Sequence, residues 1–322
     1  MEYDTTLNTQ PCIYIVVPCY NEECVLEETT KQLHQVIILM LESKLISEDS
    51  KIAYVNDGSR DRTWELIKEL NQKYKEVCGI CLSKNFGHQN ALMAGMSSVC
   101  ESADAVITID ADLQDDITVI VQMVVEFLKG ADVVCGVRKE RKTDTFFKRT
   151  TAQAFYKMMK KLGVNTVYNH ADYRLMSKRA VNQLLKFRER NLFLRGIVPL
   201  IGYKTTCVYY DRQSRFAGES KYPLSKMLNF AIDGITSFSV RPLRFLVFLG
   251  GLFILLSLGV VCWIAYALLT HNAVSGWASL MVSIWFVGGS VLIGLGVVGE
   301  YIGKIYLEVK DRPRFIIDEI VK

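Results

Sequence analysis

Two aspartates spaced two residues apart, Asp110 and Asp112, follow the apolar run Val106-Ile107-Thr108-Ile109. In an extended chain alternate side chains share a face, so both carboxylates can meet one hard divalent cation, which favours oxygen donors. One or two carboxylates plus substrate phosphates commonly hold Mg²⁺ or Mn²⁺, which makes a nucleotide diphosphate the expected companion. Aspartate also opens helices without any metal. The pair therefore takes its meaning from its surroundings.

Those surroundings are strands that end in polar groups. Cys12 to Val17, Lys51 to Val55, Val77 to Leu82, Val106 to Ile109 and Asp132 to Gly136 read as strands, with helical spacing between them, as in Trp64, Leu66, Ile67 and Leu70. Such alternation predicts an α/β fold, a mostly parallel sheet flanked by helices. Four consecutive strand ends carry Pro18 to Glu22, Asp57 to Ser59, Lys84 to Gly87 and Asp110 to Gln114. Open α/β sheets bind ligands outside the carboxyl ends of their strands, so one shared pocket is expected.

The 322 residues are 50% hydrophobic and only 22% charged, and the apolar excess lies towards the C-terminus. Uncharged runs extend from Phe245 to Leu269 and from Ala273 to Gly299, each longer than the ~20 residues that cross a bilayer. Arg241 and Arg244 precede the first, Lys304, Lys310, Arg312 and Arg314 follow the second, and the connector at His271-Asn272 has no cation. The positive-inside rule then places both ends in the cytosol. Phe146 to Leu162 and Pro223 to Val240 read as amphipathic helices, the first rich in lysine, suited to an anionic membrane surface. A net charge of +4 lacks the basic excess of a nucleic-acid binder. Nine cysteines, with a single Cys78-x-x-Cys81 pair whose members face opposite sides of a strand, suggest reduced thiols rather than zinc or a disulfide framework. The N-terminus shows no signal-peptide pattern.

Pro18-Cys19-Tyr20-Asn21-Glu22, Asn56-Asp57-Gly58-Ser59, Asp110-Ala111-Asp112-Leu113-Gln114 and Arg215-Phe216-Ala217-Gly218-Glu219-Ser220-Lys221-Tyr222 together resemble the polyprenyl-phosphate glycosyltransferases of glycosyltransferase family 2. The similarity is greatest to the bactoprenol glucosyltransferase type, related to dolichol-phosphate mannose synthase, and it runs along nearly the whole chain. It implies a GT-A fold over residues 1–222, an interfacial helix at 223–241, two transmembrane helices within 242–303 and a cytosolic tail at 304–322. It further implies that Pro18, Tyr20, Glu22 and Asp57 hold the nucleotide, with Lys84 and Ser220 also on the donor side. Asp110, Asp112 and Gln114 would bind Mg²⁺ or Mn²⁺, while Arg212, Arg215 and Lys221 serve the phosphates and the acceptor. Asp172, in Ala171-Asp172-Tyr173-Arg174, matches a family aspartate often proposed as catalytic. His170 departs from the pattern, where a small residue is usual. The implied partners are a nucleotide sugar (UDP-glucose or UDP-GlcNAc), polyprenyl phosphate, the bilayer and further copies of the chain, a tetramer being one such assembly.

A phosphate monoester is already largely dianionic near neutral pH, its second pKa being about 6, so such an acceptor needs little general-base help. Catalysis is expected to rest on positioning and charge stabilisation, with inversion at the anomeric carbon. Two other functions compete: a processive polysaccharide synthase, against which the chain lacks a Gln-x-x-Arg-Trp motif, and a non-catalytic sugar-lipid carrier.

Overall fold

A computed structural model describes residues 10–139, 170–189, 194–211, 241–269 and 276–322. The chain divides into two units, one formed by Met1–Lys160, Asn165–Pro223 and Arg312–Lys322, the other by Lys161–Val164 and Leu224–Asp311.

The first unit is an α/β sheet. Its strands are β1 (Ile13–Cys19), β2 (Lys51–Asn56), β3 (Val77–Leu82), β4 (Ala105–Thr108), β5 (Val133–Arg138), β6 (His170–Ser177), β7 (Thr205–Tyr210) and β8 (Ile317–Val321), in the order β7-β5-β6-β4-β1-β2-β3-β8. Between them run α1 (Leu26–Glu42), α2 (Thr63–Lys73), α3 (His88–Val99), α4 (Val119–Leu128), α5 (Lys178–Lys186) and α6 (Leu194–Leu200). The central strands β1, β2 and β4 are parallel and almost wholly buried. Burial on both faces explains their continuous Ile/Val runs. Helix α3 lies close on β1 and β2: a Cβ on Gly95 would stand 2.4 Å from Val16 Cγ1 and 2.7 Å from Val55 Cγ2.

Two features of the topology position the pocket. First, β1 has β2 on one side and β4 on the other, the switch in strand order at which open sheets form a crevice. Second, β6 is inserted antiparallel between β4 and β5, with Thr108 opposite Arg174. Because β6 runs against β4, its early residues lie beside the end of β4, and Asp172 reaches the acidic turn from far along the sequence.

Residues 304–322, expected as a tail, hold more structure than that. After the last helix the chain returns as β8, antiparallel to β3. Trp64 Nε1 donates to Glu319 Oε2 at 3.0 Å, Lys68 Nζ approaches the same oxygen at 2.8 Å, and Ser83 N–H donates to Ile316 O at 3.0 Å. The five residues Ile317-Asp318-Glu319-Ile320-Val321 are short and lack the two-residue alternation that marks a strand.

The second unit consists of α7 (Arg241–Leu269) and α8 (Trp277–Val309). Helices thus occupy both places expected to span a membrane. Among the described residues, however, only Phe286–Val309 is long and apolar enough to cross one, so the described residues do not establish a two-helix transmembrane hairpin. That stretch also runs past residue 303, the expected end of the transmembrane region, and takes in Glu300, Lys304 and Glu308. The amphipathic segments 146–162 and 223–240 lie outside the described residues.

Candidate active site

The β1 and β2 ends are laced together by backbone donors. Asn21 adopts a positive φ of 56°, which turns its N–H to Ser59 Oγ at 3.0 Å while its Oδ1 accepts from Arg60 N–H at 2.9 Å. Glu22 N–H donates to Thr63 Oγ1 at 2.9 Å. Pro18 is buried within β1, opposite Val55, whereas Tyr20 is exposed at the rim.

Asp57, at the end of β2, is buried, and its two oxygens accept from Phe86 N–H at 2.7 Å and Gly87 N–H at 2.9 Å. Burial pushes its carboxyl above the ordinary value, partly offset by these two N–H groups and by His88. The next residue, Gly58, has φ +62°, and a Cβ there would stand 2.4 Å from Lys84 C and 2.5 Å from Asn85 N. The β2 turn is thereby seated against the β3–α3 loop, which carries exposed Lys84 with its Nζ 5.2 Å from the Phe86 ring centre. Asp57 thus acts as the bracket of the loop that presents Lys84.

The acidic turn after β4 contains four aspartates with two sorts of environment. Asp115 is buried and accepts from Arg138 Nη2 at 2.8 Å and from Tyr210 Oη at 2.6 Å. Asp116 Oδ1 caps Thr118 N–H at 3.0 Å, and its carbonyl accepts from Tyr173 Oη at 3.0 Å. These two build the turn. Asp110 and Asp112 are half-buried at its mouth, and Asp112 Oδ1 accepts Gln114 N–H at 3.1 Å. Burial raises the Asp110 carboxyl; His88 lowers it, and Asp115, Asp172 and Asp112 raise it further. A cation would relieve that crowding. The donor set is all oxygen, as Mg²⁺ or Mn²⁺ requires, yet among the described residues no three His, Cys, Asp or Glu side chains converge to hold an ion alone. Phosphates from a bound donor would complete such a site.

Asp172 is held differently. Arg174 Nη2 donates to its Oδ1 at 2.6 Å, and Arg195 Nη2 to its Oδ2 at 3.1 Å. Thr108 Oγ1 fixes its carbonyl at 2.6 Å. Burial alone would raise this carboxyl, but the Arg195 and Arg174 guanidinium groups, with His88, outweigh it and hold it well below the ordinary carboxylate range. So low a pKa makes a poor general base.

His88, first residue of α3, places Nε2 3.5 Å from Asp110 Oδ1 and 3.9 Å from Asp172 Oδ2. Of the residues singled out from sequence, the fold thus brings Asp110, Asp112 and Asp172 to one sheet end, beside the loops of Asp57 and Lys84. Arg212, Arg215, Ser220 and Lys221 lie outside the described residues. His88, Arg174, Arg195 and Asp115 are site residues that the sequence motifs do not single out. The string Asn85-Phe86-Gly87-His88 at a strand end was a signal for the first; the others become partners only through strand pairing.

The profile of "Glycosyl transferase family 2" matches residues 14–185. The chain belongs to this family. Among relatives, the uncharacterized glycosyltransferase YkoT of Bacillus subtilis (strain 168) is 55% identical over 313 residues, 96% of this chain and 92% of its own. The SfII prophage-derived bactoprenol glucosyl transferase of Shigella flexneri is 41% identical over 307 residues, 95% of this chain and 97% of its own. A solved mannosyltransferase, PcManGT from Pyrobaculum calidifontis in complex with GDP-Man and Mn²⁺, matches with TM-score 0.44 and 13% identity over 93% of this chain and 86% of its own. By its family match and its relatives the protein is a glycosyltransferase, with a GT-A-like α/β fold.

Proposed function

We propose that this glycosyltransferase moves a sugar, glucose first among the candidates, from a nucleoside diphosphate to polyprenyl phosphate at the cytosolic face of a membrane. The observation that carries the chemistry is the end of β4, where Asp110 and Asp112 stand at the mouth and Asp172 is clamped by two arginines. The reading of a lipid acceptor is supported by the bactoprenol glucosyl transferase relatives, which align over 95% of this chain.

A divalent cation, when bound, offsets the charge on the departing diphosphate; Asp110 and Asp112 would hold it, with Gln114 beside them. Tyr20, Glu22 and the Asp57-bracketed loop would frame the nucleotide, and Lys84 supplies positive charge at the same rim. Asp172, fixed as a carboxylate, orients the acceptor or stabilises positive character at the anomeric carbon, and the acceptor phosphate needs no base. Direct in-line attack inverts the anomeric configuration. Arg212, Arg215, Ser220 and Lys221 would bring the lipid phosphate to the donor.

Phe286–Val309 supports a membrane anchor, and α7, apolar along most of its length, would be its second span. Gly288, Gly289 and Gly296 face open space, which suits close helix packing between copies. The test offers the purified full chain undecaprenyl phosphate with UDP-glucose, UDP-GlcNAc or GDP-mannose, and identifies the lipid product by mass spectrometry. A hexosyl-phosphate lipid of inverted configuration is expected from UDP-glucose. Polymer would instead mark a synthase, and no product from any donor would defeat the proposal.

A further inference from the structure

The geometry points to His88 as a positioning residue of the transfer reaction, one that ties the diphosphate end of the pocket to the end where Asp172 stands. This inference rests on the transferase function proposed above.

Its imidazole Nε2 lies within ion-pair distance of two carboxylates from different strands, Asp110 Oδ1 at 3.5 Å and Asp172 Oδ2 at 3.9 Å. The ring's place is built from both sides. Behind it, Gly87 takes φ +90° and gives its N–H to Asp57, which sets the direction in which α3 starts. Gly95 seats the same helix on β1 and β2. Ahead of it, Gln89 Oε1 accepts Leu194 N–H at 3.0 Å, and the following residue, Arg195, grips Asp172. The first turn of α3 thus touches the Asp57 bracket, an expected cation carboxylate and the Asp172 clamp. His88 is the member that faces both carboxylates, so it fixes the gap across which sugar and acceptor meet. Misplacing reacting groups by about 1 Å can cost about 10²-fold in rate.

The experiment compares H88A, H88Q and H88N as full chains, measuring kcat, donor KM and thermal unfolding. H88A should keep its thermal midpoint and a donor KM near the wild-type value while kcat falls about 10²-fold. Glutamine can return an N–H to the Nε2 position, so H88Q should recover most of the turnover, and the shorter asparagine should not. An active wild type with equally active H88A overturns the inference, as does H88Q no better than H88A. If H88A does not fold, the pair H88Q and H88N decides: glutamine active and asparagine slow supports the role, equal rates refute it. Failure of the function itself would look different, as a wild-type chain that yields no lipid product.

Discussion

Replacing Gly58 with alanine should damage the pocket without touching a carboxylate. Its φ of +62° is left-handed, which costs an ordinary residue about 1–2 kcal/mol. The added Cβ would also lie 2.4 Å from Lys84 C and 2.5 Å from Asn85 N. Both are backbone atoms, so the β3–α3 loop must shift as a body. That shift pulls Phe86 and Gly87 N–H from Asp57, now at 2.7 and 2.9 Å, and a hydrogen bond to a charged group contributes about 1.5–3 kcal/mol. Strain plus one lost bond gives about 2.5–5 kcal/mol, or about 5–20 °C of melting temperature at the roughly 2–4 °C per kcal/mol of a domain of about this size. Hydrogen exchange resolved at Phe86 and Gly87, together with thermal unfolding, reads both effects. Donor KM should rise as well, because Lys84 travels with the loop. Unchanged protection at those two amides with an unchanged melting temperature would refute the packing described here.

Asp115→Asn should cost about 3 kcal/mol, the lower end for a broken buried pair, since Arg138 keeps some contact with water; thermal unfolding checks it, and a neutral result would deny the turn its anchor. The Asp172 carboxyl lies below its ordinary value in the fold, so its stabilisation is complete above the unfolded carboxylate range and fades only as pH falls towards the folded value. Stability therefore gains no acid limb from Asp172 between about pH 8 and 5; Arg195→Gln, which brings the folded carboxyl nearer its unfolded value, should lower stability above about pH 5 and shrink the loss below it, and melting curves against pH that coincide for the two proteins would contradict this. Deleting residues 316–322 removes β8 and bares the β3 edge, so a lower melting temperature and aggregation are expected, measured by thermal unfolding and size-exclusion chromatography. Wild-type behaviour would show the strand to be dispensable.

Much of this fold is legible in the sequence because buried parallel strands must be apolar throughout and must stop where the ligand begins. Ile13 to Cys19, Lys51 to Asn56 and Ala105 to Thr108 announce themselves this way, and their polar endings mark the pocket. Asp110 and Asp112 stand half-buried at one such ending, where their spacing and their surroundings together put them. What escapes is whatever depends on strands meeting from far apart. Arg174 and Arg195 carry no sign of their carboxylate until β6 is laid antiparallel against β4, and His88 lies far along the chain from Asp172. Asp115 looks like one more member of an acidic turn, although Arg138 and Tyr210 make it internal scaffolding. Strand β8 is hidden for another reason: it is five residues long, breaks the two-residue alternation with Asp318-Glu319, and gains its meaning only from pairing with β3.

In the proposed reaction the carboxylates at the end of β4 would hold a divalent cation against the donor's diphosphate while a lipid phosphate attacks. The most direct measurement follows label from UDP-glucose into undecaprenyl phosphate, before and after exhaustive chelation and after Mn²⁺ is restored. Transfer should stop on chelation, return with Mn²⁺ in the wild type, and not return in the double variant Asp110→Asn, Asp112→Asn. Full transfer in the presence of chelator, or an active double variant, would contradict it.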